Sequence, residues 1–219
     1  MHYPPSEHKR KFQLDRIIFF SDAIFAIAIT ILVLELKIPQ VPHDQVTNQI
    51  LTEKLVDLIP KFAGFIVSFF IIGLFWTIHH RIFGYVTDYD DRLVWLNLMY
   101  LFFIVIMPFT TGFYSEYIFN LENTPFIMYC ANIVMIGVFN MLILHHITDP
   151  ARHLSQGLEN KYLRRYFYFR SATLSCLFVL IAIGYLISPE MTVYFPILVP
   201  LIMVPVRKYF ARKIETGNV

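Results

Sequence analysis

Apolar runs long enough to cross a bilayer recur six times along the chain, at 17–38, 59–80, 92–112, 124–146, 168–187 and 191–208. About 20 helical residues span the ~30 Å of hydrocarbon, so each run predicts a transmembrane helix. Pro39 and Pro42 end the first run, because proline cannot continue the helical hydrogen-bond ladder. Ser188-Pro189-Glu190 leaves only a tight hairpin between the fifth and sixth runs. Pro196, Pro200 and Pro205 predict a kinked or locally unwound sixth helix. Between the first two runs, Val46, Ile50, Leu51, Leu55 and Leu58 fall at helical spacing, which predicts a short amphipathic helix at the outer surface. No connection is long enough to fold as a separate domain. The chain therefore reads as an all-α integral membrane protein: a tail at 1–16, one six-helix transmembrane domain at 17–208, and a tail at 209–219.

Composition agrees. Of the 219 residues 57% are apolar and 16% charged, and mean hydropathy is +0.56. Soluble domains carry about 45–50% apolar and ~25% charged residues, so a soluble enzyme, a disordered chain and a disulfide scaffold are all excluded. Cys130 and Cys176 both lie inside apolar runs and read as small hydrophobes buried within the membrane. The first run contains Ser21 and Asp22, is too long, and has no small-residue cleavage site, so it is expected to stay in the mature protein.

A net charge of +2 hides a strong asymmetry. Lys9, Arg10, Lys11, Arg16, Arg81, Arg92, Arg152, Lys161, Arg164, Arg165, Arg170, Arg207, Lys208, Arg212 and Lys213 border one side of the six-span plan. Only Lys37, Lys54 and Lys61 border the other. The positive-inside rule then puts both termini in the cytoplasm of a multi-pass protein, as an even number of spans requires.

The chemistry lies in the polar residues within apolar helices. An ionisable group at mid-bilayer costs about 2.5–3.5 kcal/mol on insertion scales and is a functional candidate by default. Asp22 lies five residues beyond Ile17, ~8 Å along a helix. Arg16 and Asp22 stand ~240° apart around that helix and do not share a face. Each therefore looks to another helix. Trp76, His79 and His80 at the end of the second run, and Asn97 in the third, lie at matching depth. A network of these residues would anchor the first helix, whether for packing or for transport. Further along, Ile27, Thr30, Ile31 and Leu34 form one helical face, which on spacing alone reads as an ordinary packing stripe. His79-His80 and His145-His146 invite a metal reading, but a metal site needs three or four converging ligands, and neither a His-x-x-His-His nor a His-Glu-x-x-His box is present. Phosphate-binding, dinucleotide and serine-hydrolase motifs are absent.

Arg16-x-x-x-Phe20-Ser21-Asp22, followed by the Ala- and Ile-rich stretch from Ala23, resembles the signature of the transmembrane protein 175 family, the lysosomal potassium channels. Phe75-Trp76, His79-His80-Arg81, Trp95-Leu96-Asn97 and the six-span plan extend the likeness to prokaryotic single-repeat members. The resemblance implies a homotetramer in a prokaryotic cell membrane, with the first helix of each subunit lining a central pore. It implies that Ile27 narrows the pore, that Ile31 and Leu34 form further apolar rings, and that Thr30 bears on potassium preference. The expected partners are potassium ions (other monovalent cations more weakly), the bilayer and three further copies, with no nucleic acid, cofactor, metal or catalytic residue. No Thr-Val-Gly-Tyr-Gly filter exists, so the expected device is an apolar constriction that dewets, with Glu35 drawing cations to the outer mouth. Two other classes stay in view: a proton-coupled secondary transporter using Asp22 and His79, and a membrane enzyme with histidine-bound iron or zinc.

Overall fold

The polar breaks in the sequence become helix ends. The structure, a computed structural model, describes residues 7–117, 123–187 and 205. Among them are six α-helices: α1 (Glu7–Ile31), α2 (Asn48–Asp57), α3 (Ile59–Phe83), α4 (Asp91–Glu116), α5 (Asn123–Ile147) and α6 (Lys161–Ile187). All but α2 are long and apolar enough to cross a membrane. They correspond to the first five predicted spans. The sixth, 191–208, and the tail 209–219 lie outside the described residues except for Pro205, which is helical.

Boundaries differ where helices outrun the hydrocarbon. α1 is helical from Glu7, ten residues ahead of the predicted start, so residues 7–16 of the expected tail are helical. At 25 residues it is ~37 Å long. It tightens into a 3-10 turn, Leu32–Glu35, before Pro39. α6 starts at Lys161, seven residues early, after Asn160 Oδ1 accepts from the amides of Tyr162 and Leu163. The amphipathic segment is α2, capped by Thr47, whose side chain accepts from the Ile50 amide at 3.2 Å. None of its residues is buried.

α4 is the central post. α1, α3 and α5 all pack on it, α1 also packs on α3, and α6 packs on α5. The core runs along this seam through Phe75, Ile78, Leu93, Tyr100, Ile104, Met107, Ile133, Ile136 and Leu174, all fully buried. Lipid does not reward apolar contact between helices, so close packing and interhelical hydrogen bonds must hold them. Gly137 lets α6 approach α5, since any side chain there would collide with Ser175 Oγ. Ser68 on α3 is bonded to Tyr129 on α5 (3.0 Å) and to Thr111 on α4 (2.8 Å). Asn140 on α5 donates to Ser171 on α6 at 2.5 Å.

One end of the bundle is tied by its connections. Val86 and Ser155 form an isolated antiparallel bridge, flanked by Thr87 N–H to Leu154 O and Gln156 N–H to Tyr85 O, both 2.9 Å. Asp90 caps α4 by accepting from the Leu93 amide at 2.7 Å. The same carboxylate meets His146 Nε2 at 2.8 Å and Arg152 at 3.6 Å. Partial burial acts to raise its pKa. The hydrogen bonds from His146 and the Leu93 amide, with the charges of His146 and Arg152, outweigh that and hold the carboxyl below its ordinary value.

A depressed folded-state pKa contributes stability that is complete at neutral pH. That contribution is lost as pH falls through the lowered value, below about pH 4. Asp90→Asn keeps the cap and removes the charge. Its deficit in thermal stability in detergent should be at most ~1 kcal/mol at neutral pH, since the side chain is 36% exposed. That deficit should vanish below about pH 4. Asp90→Ala should lose a further ~1 kcal/mol at both ends of the range, because it also removes the cap.

Candidate functional site

α1 presents two unlike faces. Leu14, Ser21, Phe25, Ala28 and Leu32, spaced seven, four, three and four residues apart, are buried against α3 and α4. At 100° per residue, Ile27, Ile31 and Leu34 centre about 120° away. They are 56%, 41% and 70% exposed on the single chain. The apolar stripe therefore does not pack inside the subunit. Phe20 lies on the same side and is half exposed. Thr30 is exposed too, and its hydroxyl donates to the Ala26 and Ile27 carbonyls of its own helix at 3.0 and 2.9 Å.

The buried face carries the polar anchors, which form two groups. In the first, Asn97 on α4 donates from Nδ2 to Ser21 Oγ at 2.8 Å, and His79 Nε2 lies 2.9 Å from Asn97 Oδ1. Ser21 passes its own hydrogen to the Ile17 carbonyl at 2.9 Å. This order of donors fixes the imidazole tautomer. Asn97 Oδ1 must accept, so Nε2 carries the hydrogen, and Nδ1 is a bare lone pair with no partner. The flipped amide would put the hydrogen on Nδ1 and bury an unsatisfied N–H, which costs more than a bare lone pair. Aromatic rings wall the imidazole: Phe83 at 4.1 Å, Tyr100 at 5.3 Å and Phe25 at 5.6 Å between centroids.

In the second group, Trp76 Nε1 donates to Asp22 Oδ1 at 2.9 Å. His80 stacks on the Trp76 indole at 5.4 Å and is exposed. Asp22 and His79 therefore sit in separate hydrogen-bond groups, with no bond between them. Arg16 is exposed and makes no hydrogen bond or ion pair among the described residues.

Several residues joined to this site carry no signal in spacing. Phe25 and Tyr100 enclose His79, and Tyr100 donates to the Phe75 carbonyl at 3.2 Å. Arg170 on α6 donates to Thr77 on α3 at 3.0 Å, bringing a cation to the turn that holds Trp76 and His80. An arginine inside an apolar run was a visible signal for that contact. Glu35 lies over Gly112 of α4, where any side chain would strike its carboxylate. It lines a cavity of about 30 Å³ with Lys61, Thr111 and Glu116, and so leans back into its own subunit.

Residues 16–108 match the family described as the endosomal/lysosomal potassium channel TMEM175. A potassium channel of Streptomyces collinus is 33% identical over 143 residues, which are 62% of this chain and 68% of that protein. A potassium channel of Chamaesiphon minutus is 38% identical over 135 residues, 61% of this chain and 66% of that one. Among solved structures, the crystal structure of a lysosomal potassium-selective channel TMEM175 homolog from Chamaesiphon minutus superposes with a TM-score of 0.72 at 28% identity. It covers 92% of this chain and 97% of that one. With its signature helix, its packing around α4 and these relatives, the chain belongs to the TMEM175 family, which is a family of channels and not of enzymes.

Proposed function

We propose that this protein is a potassium-permeable cation channel, a homotetramer whose α1 helices line a central pore. The observation that carries the reading is the two-faced α1. One face is anchored by Ser21, Phe25, Ala28 and Leu32, and the other leaves Ile27, Ile31 and Leu34 exposed on a single chain. Four such faces around an axis turn that apolar surface inward, onto one another along a central path. The naming of the relatives from Streptomyces collinus and Chamaesiphon minutus as potassium channels supports the same reading.

Mechanism follows from the side chains. Four Ile27 side chains meeting on the axis form an apolar ring, which dewets when narrow and stops a hydrated cation. Ile31 and Leu34 extend the barrier towards the outer mouth. Thr30 has given its hydrogen to its own helix, so it presents oxygen lone pairs to a passing ion and acts as a weak cation contact. The bonds from Asn97 and Trp76 to Ser21 and Asp22 set the rotation of α1, and with it the aim of Ile27. The asymmetry of Lys and Arg supports an orientation with both termini in the cytoplasm, the bacterial relatives support a prokaryotic cell membrane, and the pore domain runs over 17–208.

Purified protein in liposomes should pass potassium current, and mass measurement in mild detergent should give four copies. Ile27→Asn should raise the current on the order of tenfold, the equivalent of about 1.4 kcal/mol taken from the barrier. Unchanged conductance would sink the pore assignment, and saturating, substrate-dependent flux without single-channel steps would point to a transporter. Asn97→Ala unpairs Ser21 Oγ and His79 Nε2–H in a buried site. It should lower the unfolding midpoint by the equivalent of about 2–4 kcal/mol. Ser21→Ala, which spares His79, should lose about 1 kcal/mol.

A further inference from the structure

α1 is held a second time, outside the region of the signature. Arg10 stands on the same helical face as Leu14 and Ser21, one turn before Leu14. Its Nε donates to Asp88 Oδ1 at 2.8 Å, and its Nη2 lies 2.7 Å from Asp88 Oδ2, a two-pronged pairing. Nη2 also reaches the Tyr89 carbonyl at 3.3 Å, and the guanidinium lies 6.0 Å from the Tyr89 ring centre. The Tyr89 hydroxyl donates to Gln13, one turn along α1.

The receiving loop is itself fixed. Asp88 Oδ1 accepts from the Tyr89 amide at 2.8 Å, which orients the carboxylate before Arg10 arrives. The loop is tied to 154–156 by the Val86–Ser155 bridge and its flanking bonds, and to α5 by Asp90 and His146. Arg10 and Ser21 are eleven residues apart, ~16 Å along the helix. A helix gripped at one level can still pivot about that point. A helix gripped at two levels on one face can neither pivot nor roll without breaking a grip.

We propose that Arg10 and Asp88, with Gln13 and Tyr89, are positioning residues for ion conduction: a cytoplasmic clasp that sets the tilt and rotation of α1 and so the balance between open and closed pore. The inference rests on the reading of α1 as the pore helix. The clasp lies before the membrane-spanning apolar run, away from Ile27. It therefore acts on how often the pore is open and not on how fast ions cross when it is. The partners are 40% and 33% exposed, so the pair is worth a factor of a few in that balance.

Single-channel recording of the reconstituted protein tests this with Arg10→Glu, Asp88→Arg and the charge-swapped double variant. Each single reversal should move open probability about threefold or more, both in the same direction, with unitary conductance unchanged. The swap should return it to within about twofold of native. Native open probability in both singles, or a double variant no closer to native than they are, overturns the clasp. If a reversal does not fold, Asp88→Asn carries the test, and native gating in it overturns the proposal. Ile27→Asn in parallel separates the two claims. If it raises current while the clasp variants stay native, only the clasp fails. If Ile27→Asn and the clasp variants are all silent, both fail.

Discussion

A polar side chain inside hydrocarbon has no water to turn to, and this structure is organised around meeting that demand on α1. Ser21 and Asp22 interrupt the apolar run of the first span. Ser21 is satisfied by Asn97 of α4, which in turn holds His79 of α3. Asp22 is satisfied by Trp76 of α3. Interhelical hydrogen bonds in a membrane are worth only about 0.6–1.7 kcal/mol each. Their value here is directional: they leave one rotational setting of α1 in which every donor is used. That setting turns Phe25, Ala28 and Leu32 inward and Ile27, Ile31 and Leu34 outward.

The remaining packing protects this arrangement. Phe25, Phe83 and Tyr100 seal the imidazole of His79 on its faces and keep water from its bare Nδ1. A histidine so enclosed, in one defined tautomer, serves as a strut. The bond between Trp76 and Asp22 is the more exposed of the two anchors, and His80 stacks over the indole that makes it. At the same end of the bundle, the Asp88 and Asp90 loop joins the start of α1, the start of α4 and the end of α5 into one collar. The other end is held differently: Glu35 folds over Gly112, and Lys61 pairs with Glu116 at 2.6 Å.

The site was legible to an unusual degree because it violates the pattern around it. Asp22 stands out in a run of Ile, Phe and Ala, and Trp76, His79 and Asn97 stand out at the ends of theirs. Depth alone narrowed the possible partners. What depth does not carry is direction. His79, and not its neighbour His80, bonds Asn97, because successive residues on a helix point 100° apart and only one faces α4. Arg16 lies at a similar depth and stays outside the network, since its position on α1 turns it to the surface.

Hydropathy and proline placement were enough to determine the class of fold, the existence of the first five spans and the short amphipathic helix between the first two. Lengths in residues are set by the thickness of hydrocarbon, and that constraint is local to each run. The signature on the first span and its likeness to a channel family were equally a matter of sequence. The pairing of side chains belonged to the tertiary structure alone. Only the packing of α1 between α3 and α4 decided that Asp22 meets Trp76, that Ser21 meets Asn97, and that the helix continues past the apolar run to lay Arg10 on Asp88. Those contacts join residues 54, 76 and 78 positions apart, and no local pattern encodes which faces of three helices will meet.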